Sequence, residues 1–597
     1  MTLLTGTLDS DSQRAERFLE AAQRLAPALP WLARTDTRAG RLSLRLTAMS
    51  QVPFATIQEP SGRVLFVLGD ILQADQLDNA AWLHAQCRDN GGLDPLARQN
   101  GYYLAGVVDE HDTVYLAADQ LGLMPLYYWS HGDCFSFSTS PNAFHSHPEF
   151  VAKPDLTGIA GILLSMYAIG DRTTWQGVRR LPPGHLLRWR AGEGVTLTDI
   201  NSLKAHDAYF QYPPSLCQGL IQNAFNKAVQ RRAKLGETSI LLSGGLDSRL
   251  VAGCLRWHAT HKVPALTLGE PGDYEMQCAR GVAKRLGWPM HPARVDLDAY
   301  PDWAPVQARL EGSHSSFVEF MWWQALNTAH KLKPRIMTGL LGDAVMGGSQ
   351  IAYAFTPETR LYDFSKQFSK LNRLGYRATI VSKLLKQPGL AESVVEEMQR
   401  TWAGYSGLAA QKAWLFDLHH RQRLHVGAAS WRLSFGAWPT MPYADAELLH
   451  VMAGMAPPAF AERCAQNNML SEKFPQLAAL PLDRGGPDTR PVTPSIGWKL
   501  THEMRGTWRS WRTANSTVER RQFVRHYDPN GRGWRAIRNM TDNIPPSISS
   551  LFDIETLTEM LPKSASTLPC PDPIIDGARY KTMLGLLLNL NSHAFGH

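Results

Sequence analysis

The sequence predicts a protein of the α/β class, with an antiparallel sheet domain followed by a doubly wound parallel sheet domain. Its 597 residues exceed what one hydrophobic core usually serves, so more than one domain is expected. Short apolar runs broken by turn residues fill the first 200 residues, whereas strand and helix patterns alternate from residue 215 onward. We place the domain boundary between residues 205 and 206.

The N-terminal domain is predicted from runs of β-branched and aromatic residues of strand length. The predicted strands cover residues 64–68, 102–108, 113–117, 126–129, 135–138 and 185–189. The acidic segment 109–112 is a turn signal between two of these strands. Because strands joined by tight turns pair antiparallel, we expect an antiparallel sheet domain over residues 1–205.

The second domain, residues 206–597, is predicted because the spacing of apolar residues changes from a strand pattern to a helical one. Amphipathic helices are predicted at 216–233, 248–258 and 274–286, and short buried strands at 238–242 and 263–268. Beyond residue 350 helical patterns dominate. Alternating strands and helices are typical of a parallel sheet covered by helices on both faces.

Composition argues against a membrane-spanning, a secreted and a disulfide- or zinc-stabilised protein. The longest apolar runs are too short to cross a bilayer, so we expect no membrane span. The N-terminus lacks the basic start and apolar centre of a secretory signal, and we expect a cytoplasmic protein. The seven cysteines include no Cys-x-x-Cys pair, which favours free thiols over disulfides or a zinc site.

The formal charge of +7 is partly gathered in residues 505–538, where arginines alternate with tryptophans. Such a segment could bind along a nucleic acid or a peptide. We favour a helical surface whose tryptophans pack inward, and we expect no nucleic-acid partner.

The segment 243–248, of sequence Ser-Gly-Gly-Leu-Asp-Ser, joins a predicted strand to a predicted helix. Gly244 and Gly245 let the backbone approach a ligand, and the amides at the helix N-terminus attract an anion. Ser243 and Ser248 offer hydroxyl donors, and Asp247 is a candidate Mg²⁺ ligand. The segment lacks the lysine with which a P-loop holds the terminal phosphates.

This segment resembles the pyrophosphate-binding loop of the N-type ATP pyrophosphatases, and the chain is similar to asparagine synthetase and its relatives. The resemblance implies that ATP and Mg²⁺ are used to convert a carboxylate into an acyl-adenylate. A second glycine-rich turn, 339–348, resembles the family's second pyrophosphate and metal loop. The implied nucleotide-binding residues are Leu241, Leu242, Ser243, Gly244, Gly245, Leu246, Asp247, Ser248, Leu266, Leu268, Gly339 and Gly342. The implied Mg²⁺ ligands are Asp247 and Asp343.

Residues 102–108 and 116–128 resemble the glutamine amidotransferase domain of asparagine synthetases, which implies an α+β sandwich of the N-terminal nucleophile (Ntn) hydrolase type. In that domain an N-terminal cysteine attacks glutamine. Here residue 2 is Thr2, and the first sixty residues show nothing that resembles the family's opening strand. We therefore expect the domain to persist without glutaminase activity.

Two further positions depart from the family pattern. Leu340 stands where the family places a glutamate, and Gly486 falls about where a late lysine is expected. Neither side chain transfers a proton or carries charge. The candidate catalytic residues that replace them are His314 and Glu319 for proton transfer, and Arg484 and Arg490 for stabilising the phosphates.

These features resemble three specialised branches of the family, the lasso-peptide macrolactam synthetases, β-lactam synthetase and carbapenam synthetase. The resemblance implies that a carboxylate is adenylated and that an amine of the same substrate attacks it. Our leading hypothesis is a lasso-peptide macrolactam cyclase whose partner is a precursor peptide delivered by a leader protease. One alternative is an amidotransferase that joins ammonia or another amine to a small acid or a sugar acid. A second alternative is a scaffold that binds nucleotide without catalysis.

Overall fold

The computed structural model describes most of the chain. The described residues are 2–72, 78–312, 317, 319–347, 362–459, 461–495, 498, 520–572 and 574–594. His314, Trp508, Trp511 and Gly348 therefore lie outside the described residues.

The N-terminal part of the chain folds into two antiparallel sheets. Its strands are β1 Leu3–Leu8, β2 Leu32–Ala39, β3 Leu42–Met49, β4 Phe54–Gln58, β5 Val64–Ile71, β6 Gly101–Val108, β7 Val114–Ala118, β8 Tyr127–His131, β9 Cys134–Ser138, β10 Arg179–Arg180, β11 His185–Arg190 and β12 Gly194–Asp199. The first sheet has the order β10-β8-β9-β1-β3-β2, and the second has the order β12-β11-β7-β6-β5-β4.

The two sheets pack face to face as a sandwich. The rings of Phe66 on β5 and Phe137 on β9 stack across the interface, 5.6 Å apart. Helix α1, Ser12–Gln23, packs on the first sheet through the buried Phe18, and helix α2, Asn79–Asp89, packs on the second. Asp11 begins α1 because its carboxylate accepts the N–H groups of Gln13 and Arg14.

The six strands predicted in this region are confirmed to within three residues at each end, and the predicted turn joins β6 to β7. The structure corrects our expectation that the chain has no opening strand. All of β1 is buried, and it pairs with β3 and β9 in the middle of the first sheet. Sequence patterns missed β1 because both of its faces are covered, which removes the alternation of apolar and polar residues.

The second part contains a five-stranded parallel sheet of order β15-β14-β13-β16-β17. Its strands are β13 Thr238–Leu241, β14 Ala265–Leu268, β15 Met290–Ala293, β16 Arg335–Thr338 and β17 Trp438–Thr440. Together with the antiparallel sandwich, this parallel sheet with its helices confirms the predicted α/β fold class. The predicted boundary at residues 205 and 206 falls in the connection between β12 and the next helix, and it stays a prediction.

Helices cover the parallel sheet and form the C-terminal part of the chain. After α3 Leu156–Ser165 in the first part, the helices are α4 Pro214–Ala233, α5 Leu246–His258, α6 Tyr274–Leu286, α7 Tyr300–Glu311, α8 Met321–Ala329, α9 Gly342–Val345, α10 Phe364–Leu371, α11 Ala378–Leu384, α12 Leu390–Gly404, α13 Ala409–Asp417, α14 Arg423–Leu433, α15 Ala446–Ala453, α16 Cys464–Lys473, α17 Pro475–Ala478, α18 Gln522–Tyr527, α19 Arg532–Asn539, α20 Pro546–Ser549, α21 Ile554–Met560 and α22 Ile575–Ala594. One π-helical turn, Leu418–Gln422, joins α13 to α14.

Three expectations from composition can be compared with the structure. Among the described residues, no helix combines the length and apolar character needed to cross a lipid bilayer. All seven cysteines are unpaired, as predicted. Within the basic segment 505–538, Trp534 is fully buried and donates its ring N–H to the carbonyl of His526, so this tryptophan packs inward.

Candidate functional site

The loop 243–248 connects β13 to α5 and is organised by its own side chains. The hydroxyls of Ser243 and Ser248 lie 2.8 Å apart, and Ser248 also accepts the N–H of Ser243. Gly245 donates its N–H to the Ser243 hydroxyl at 3.2 Å. Because these bonds fix the loop in front of the N-terminus of α5, the loop is pre-organised for an anion.

A second loop follows β16 and lies directly against the first. A Cβ atom on Gly339 would lie 2.6 Å from the amide nitrogen of Ser248, and one on Gly342 would lie 2.4 Å from the Asp247 carboxylate. Larger residues would therefore push the two loops apart. Between these glycines, Leu341 is held in the left-handed region with φ of 72°, a strained conformation that is frequent at functional sites.

A cavity of about 400 Å³ opens at the carboxyl ends of β13, β14 and β16. β13 is the central strand, and the chain continues to β14 on one side and to β16 on the other. Ligands of open α/β sheets bind at such a position. The cavity is lined by Leu241, Leu242, Ser243, Asp247, Ser248, Leu268, Glu275, Glu319, Met321, Trp322, Gly339, Leu340, Leu341, Asp343, Arg421, Gln422, His425, Val426, Ala429 and His526.

Most of the predicted nucleotide-binding residues meet at this cavity. The predicted residues on its wall are Leu241, Leu242, Ser243, Asp247, Ser248, Leu268 and Gly339. Gly244, Gly245, Leu246 and Gly342 belong to the same two loops but do not line the cavity, and Leu266 is buried inside β14. The role of each residue in binding nucleotide stays a prediction.

The two predicted metal ligands, Asp247 and Asp343, both line the cavity. Asp247 accepts hydrogen bonds from Arg463 and Gln466. Burial raises the pKa of Asp247, Arg463 lowers it, and the nearby carboxylate of Asp343 raises it. Two neighbouring carboxylates in a partly closed cavity fit the oxygen ligands that Mg²⁺ prefers. Asp247 and Asp343 would hold the ion, which would neutralise phosphate charge.

Glu319 is held at the cavity by a buried network. Its carboxylate accepts a hydrogen bond from Arg432 at 2.9 Å, and Arg432 also forms a double ion pair with Glu311 at 2.6 and 2.8 Å. The side chain of His425 lies beside it, with 3.4 Å between its Nε2 atom and a Glu319 oxygen. Burial lowers the pKa of His425, so its imidazole is neutral near pH 7 and able to accept a proton.

His425 and Arg421 are site residues that our sequence reasoning missed. They lie four residues apart, at the π-helical turn and the first turn of α14, and both face the cavity. Such π-helical turns are frequent at functional sites. The available signal was the concentration of histidine and arginine over residues 419–425, which apolar residues flank on both sides.

Arg484 and Arg490 lie on an exposed loop near the cavity, but not among the described residues that line it. This loop packs against the first glycine loop, because Asp483 donates its N–H to the Gly244 carbonyl at 2.9 Å. Arg484 bonds the carbonyl of Arg490 at 3.3 Å, and Arg490 pairs with Asp488 at 3.6 Å. Their proposed role in phosphate stabilisation stays a prediction.

Thr2, at the position that the resemblance assigns to the glutaminase nucleophile, is buried against the second part of the chain. Its hydroxyl lies 3.1 Å from the Ser434 hydroxyl, and its N–H donates to the same oxygen. Trp431 donates its ring N–H to the Thr2 carbonyl at 3.0 Å. Since the side chain is 0% exposed, the structure offers no space for a substrate beside it.

Helix α14, which presents His425 to the cavity, contacts the N-terminal part of the chain at three points. At the start of α14, Arg180 donates a hydrogen bond to the Arg423 carbonyl. Near the end of α14, Trp431 donates its ring N–H to the Thr2 carbonyl. At its middle, a Cβ atom on Gly427 would lie 2.6 Å from the carbonyl oxygen of Leu123. The N-terminal part of the chain therefore contributes to the position of this helix.

Comparisons with known proteins agree with this geometry. Residues 82–198 match the glutamine amidotransferase domain family, and residues 220–473 match the asparagine synthase family. Asparagine synthetase [glutamine-hydrolyzing] 3 of Bacillus subtilis is 25% identical over 167 residues, which are 27% of this chain. The match spans about a quarter of that relative, 26% of its length.

A solved structure of glutamine phosphoribosylpyrophosphate amidotransferase from B. subtilis, complexed with ADP and GMP, is similar over 49% of this chain and 65% of its own. Its identity is 13% and its TM-score 0.22, which is too low to support an argument. The two family matches lie in order along one chain, and the second includes both glycine loops. Together, the two family matches and the Bacillus relative support an asparagine synthetase-like family for this chain.

Proposed function

We propose that the protein is an ATP-dependent synthetase that adenylates a carboxylate and then forms an amide with an amine of the same substrate. The observation that carries the proposal is one cavity lined by Asp247 and Asp343 at one side and by Glu319 and His425 at another. The first pair fits phosphate activation, and the second fits proton transfer.

In the first step, a carboxylate oxygen of the substrate bonds to the α phosphorus of ATP, and the bond to the β phosphate breaks. The products are an acyl-adenylate and pyrophosphate. The first glycine loop supplies hydroxyls and amide groups to hold the leaving phosphates, and the carboxylates of Asp247 and Asp343 would hold Mg²⁺ to neutralise their charge.

In the second step, the amine nitrogen bonds to the acyl carbon, and the bond between that carbon and the AMP oxygen breaks. The nitrogen must lose a proton, and Leu340 cannot accept it. Neutral His425 takes this proton, and Glu319 stabilises the imidazolium that forms. Arg432 donates a hydrogen bond to Glu319 and fixes its orientation.

The buried Thr2 supports an amine source other than glutamine hydrolysed by this chain. An amine within the substrate satisfies that requirement, and a peptide macrolactam of the lasso type is the specific product that we propose. Its substrate would be a precursor peptide trimmed by a leader protease.

The test is to incubate the protein with ATP, Mg²⁺ and candidate carboxylates, and to measure nucleotide products by chromatography. We expect AMP and pyrophosphate in equal amounts; formation of ADP would overturn adenylation, and no turnover with any carboxylate would favour a non-catalytic scaffold. Mass spectrometry of the product then decides between cyclisation, seen as loss of one water from a peptide, and amidation of a separate acid by ammonia.

A further inference from the structure

A second large depression lies on the surface, outside the cavity described above. It has a volume of about 780 Å³ and is formed by α10, the following 3₁₀ turn Asn372–Leu374, the start of α11 and the N-terminal part of α22. Its lining residues are Ser365, Lys366, Ser369, Lys370, Asn372, Arg373, Gly375, Arg377, Ile575 and Arg579. We call this depression the basic groove.

The groove carries charge of one sign. Lys366, Lys370, Arg373 and Arg377 follow one another at spacings of four, three and four residues, and no acidic residue is among the described residues that line it. Arg579 is paired with Asp576 at 3.4 Å, so its charge is partly balanced. Within the described part of the chain, Arg373 and Arg377 form no ion pair. Clustered cations of this kind attract an anion with several charges.

The chemistry of the lining favours carboxylates over a nucleic acid. Ser365 and Ser369 add hydroxyl donors beside the cations, which suits carboxylate oxygens. No aromatic side chain is among the described lining residues, whereas proteins that bind single-stranded nucleic acids stack bases on aromatic rings. A volume of about 780 Å³ also exceeds what a single small anion fills.

The groove is electrostatically connected to the catalytic cavity. Burial lowers the pKa of Lys370 to about 8, and the carboxylate of Asp417 acts against this shift. Asp417 ends α13 just before the π-helical turn, and it interacts with Arg421 and Asp343 of the cavity. Asp417 therefore interacts with charged groups of both the groove and the cavity.

We propose that the basic groove binds an acidic segment of the peptide whose carboxylate is activated in the cavity. This inference rests on the proposed function, since it assigns the substrate class as a peptide with several carboxylates. Binding in the groove holds one part of the peptide while another part reaches the cavity, and this raises the effective concentration of the reacting groups.

The experiment measures binding without ATP, so that it does not depend on turnover. A fluorescein-labelled hexapeptide of alternating Glu and Gly is titrated with the full chain at low salt, and anisotropy is recorded. The same peptide with Gln for Glu tests the need for charge. The groove variant is Arg373→Glu/Arg377→Glu, and the matched control is Arg88→Glu/Arg98→Glu, which reverses two arginines of the N-terminal domain that are 70% and 59% exposed.

We expect the groove variant to bind the acidic peptide at least about tenfold more weakly, the control to bind within about twofold of the native chain, and salt to weaken native binding. Equal binding by the two double variants would overturn the proposal, as would equal affinity for the Gln peptide or tighter binding of a single-stranded oligonucleotide. Groove-dependent binding without AMP formation from any carboxylate overturns the proposed function and leaves the ligand class of the groove standing. If an acidic peptide supports AMP formation but both double variants bind it equally well, the groove proposal is overturned and the proposed function stands.

Discussion

The surroundings of Thr2 and the cavity at β13 contrast two sites where the family resemblance places chemistry. At Thr2 the polar groups are satisfied by Ser434 and Trp431, and no space remains for a substrate. At the cavity, the titratable side chains of Asp247 and His425 line open space. The packing around Thr2 leaves no room for the reaction that the resemblance places there, whereas the cavity keeps polar groups facing open space, as the predicted reaction requires.

The strongest test of this contrast changes Asp247. Asp247→Asn removes one of the two carboxylates that would hold Mg²⁺, and we expect AMP formation to fall by about 10³-fold or more. Initial rates of pyrophosphate release measure the effect. Asp89→Asn, at the end of α2 with a side chain that is 60% exposed, is the control and should retain the native rate. Native turnover by Asp247→Asn would contradict the metal assignment.

The second test separates the two half-reactions. His425→Ala should slow amide formation by roughly 10²- to 10⁴-fold because the amine loses its proton acceptor. Exchange of labelled pyrophosphate into ATP, which reports adenylation alone, should persist. His111→Ala, in an exposed turn, should change neither rate. An equal loss of exchange and amide formation would show that His425 serves folding or nucleotide binding instead.

The third test concerns the contact between the domains. In Gly427→Ala, the new methyl group meets the Leu123 carbonyl and displaces α14, so we expect amide formation to fall about tenfold or more with a smaller effect on pyrophosphate exchange. The control is Gly281→Ala on α6, where nothing lies within 4 Å of the added atom. Similar rates for both variants would contradict a positioning role of the N-terminal domain.

The fourth test uses pH. Burial, together with the carboxylates of Asp483 and Asp273, raises the pKa of Glu275 to about 8, so this cavity residue is uncharged at neutral pH. As pH rises through 8 it becomes an anion beside the predicted phosphate site, and the KM for ATP should rise about threefold to tenfold. Glu275→Gln should remove this rise; an unchanged pH profile in that variant would exclude Glu275 as the source.

The smallest effect is expected at Thr2. Thr2→Val keeps the shape of the side chain and removes the hydrogen bond to Ser434, so the free energy of unfolding should fall by about 0.5–1.5 kcal/mol. AMP formation should be unchanged, and neither chain should release ammonia from glutamine. If the native chain hydrolyses glutamine and Thr2→Val does not, Thr2 is a catalytic residue and the contrast between the two sites is wrong.

The fold class and the first glycine loop were predictable because their signals are local. Residues 243–248 follow a buried strand and lead into a helix. The spacing of apolar residues before and after this loop predicts that strand and that helix. The edge strand β2 was not predictable from its sequence, Leu-Ala-Arg-Thr-Asp-Thr-Arg-Ala, since its polar residues are exposed and its position is set by pairing with β3.

The sequence by itself determined the first glycine loop, the second glycine loop and the presence of threonine instead of cysteine at residue 2. Each of these depends on residue types at fixed positions. Only the tertiary structure placed His425 beside Glu319, which lies 106 positions earlier in the chain, and brought the cations of the basic groove together. Contacts between distant segments depend on how helices pack on the sheet. That packing comes from many weak apolar contacts, and no short stretch of sequence encodes it.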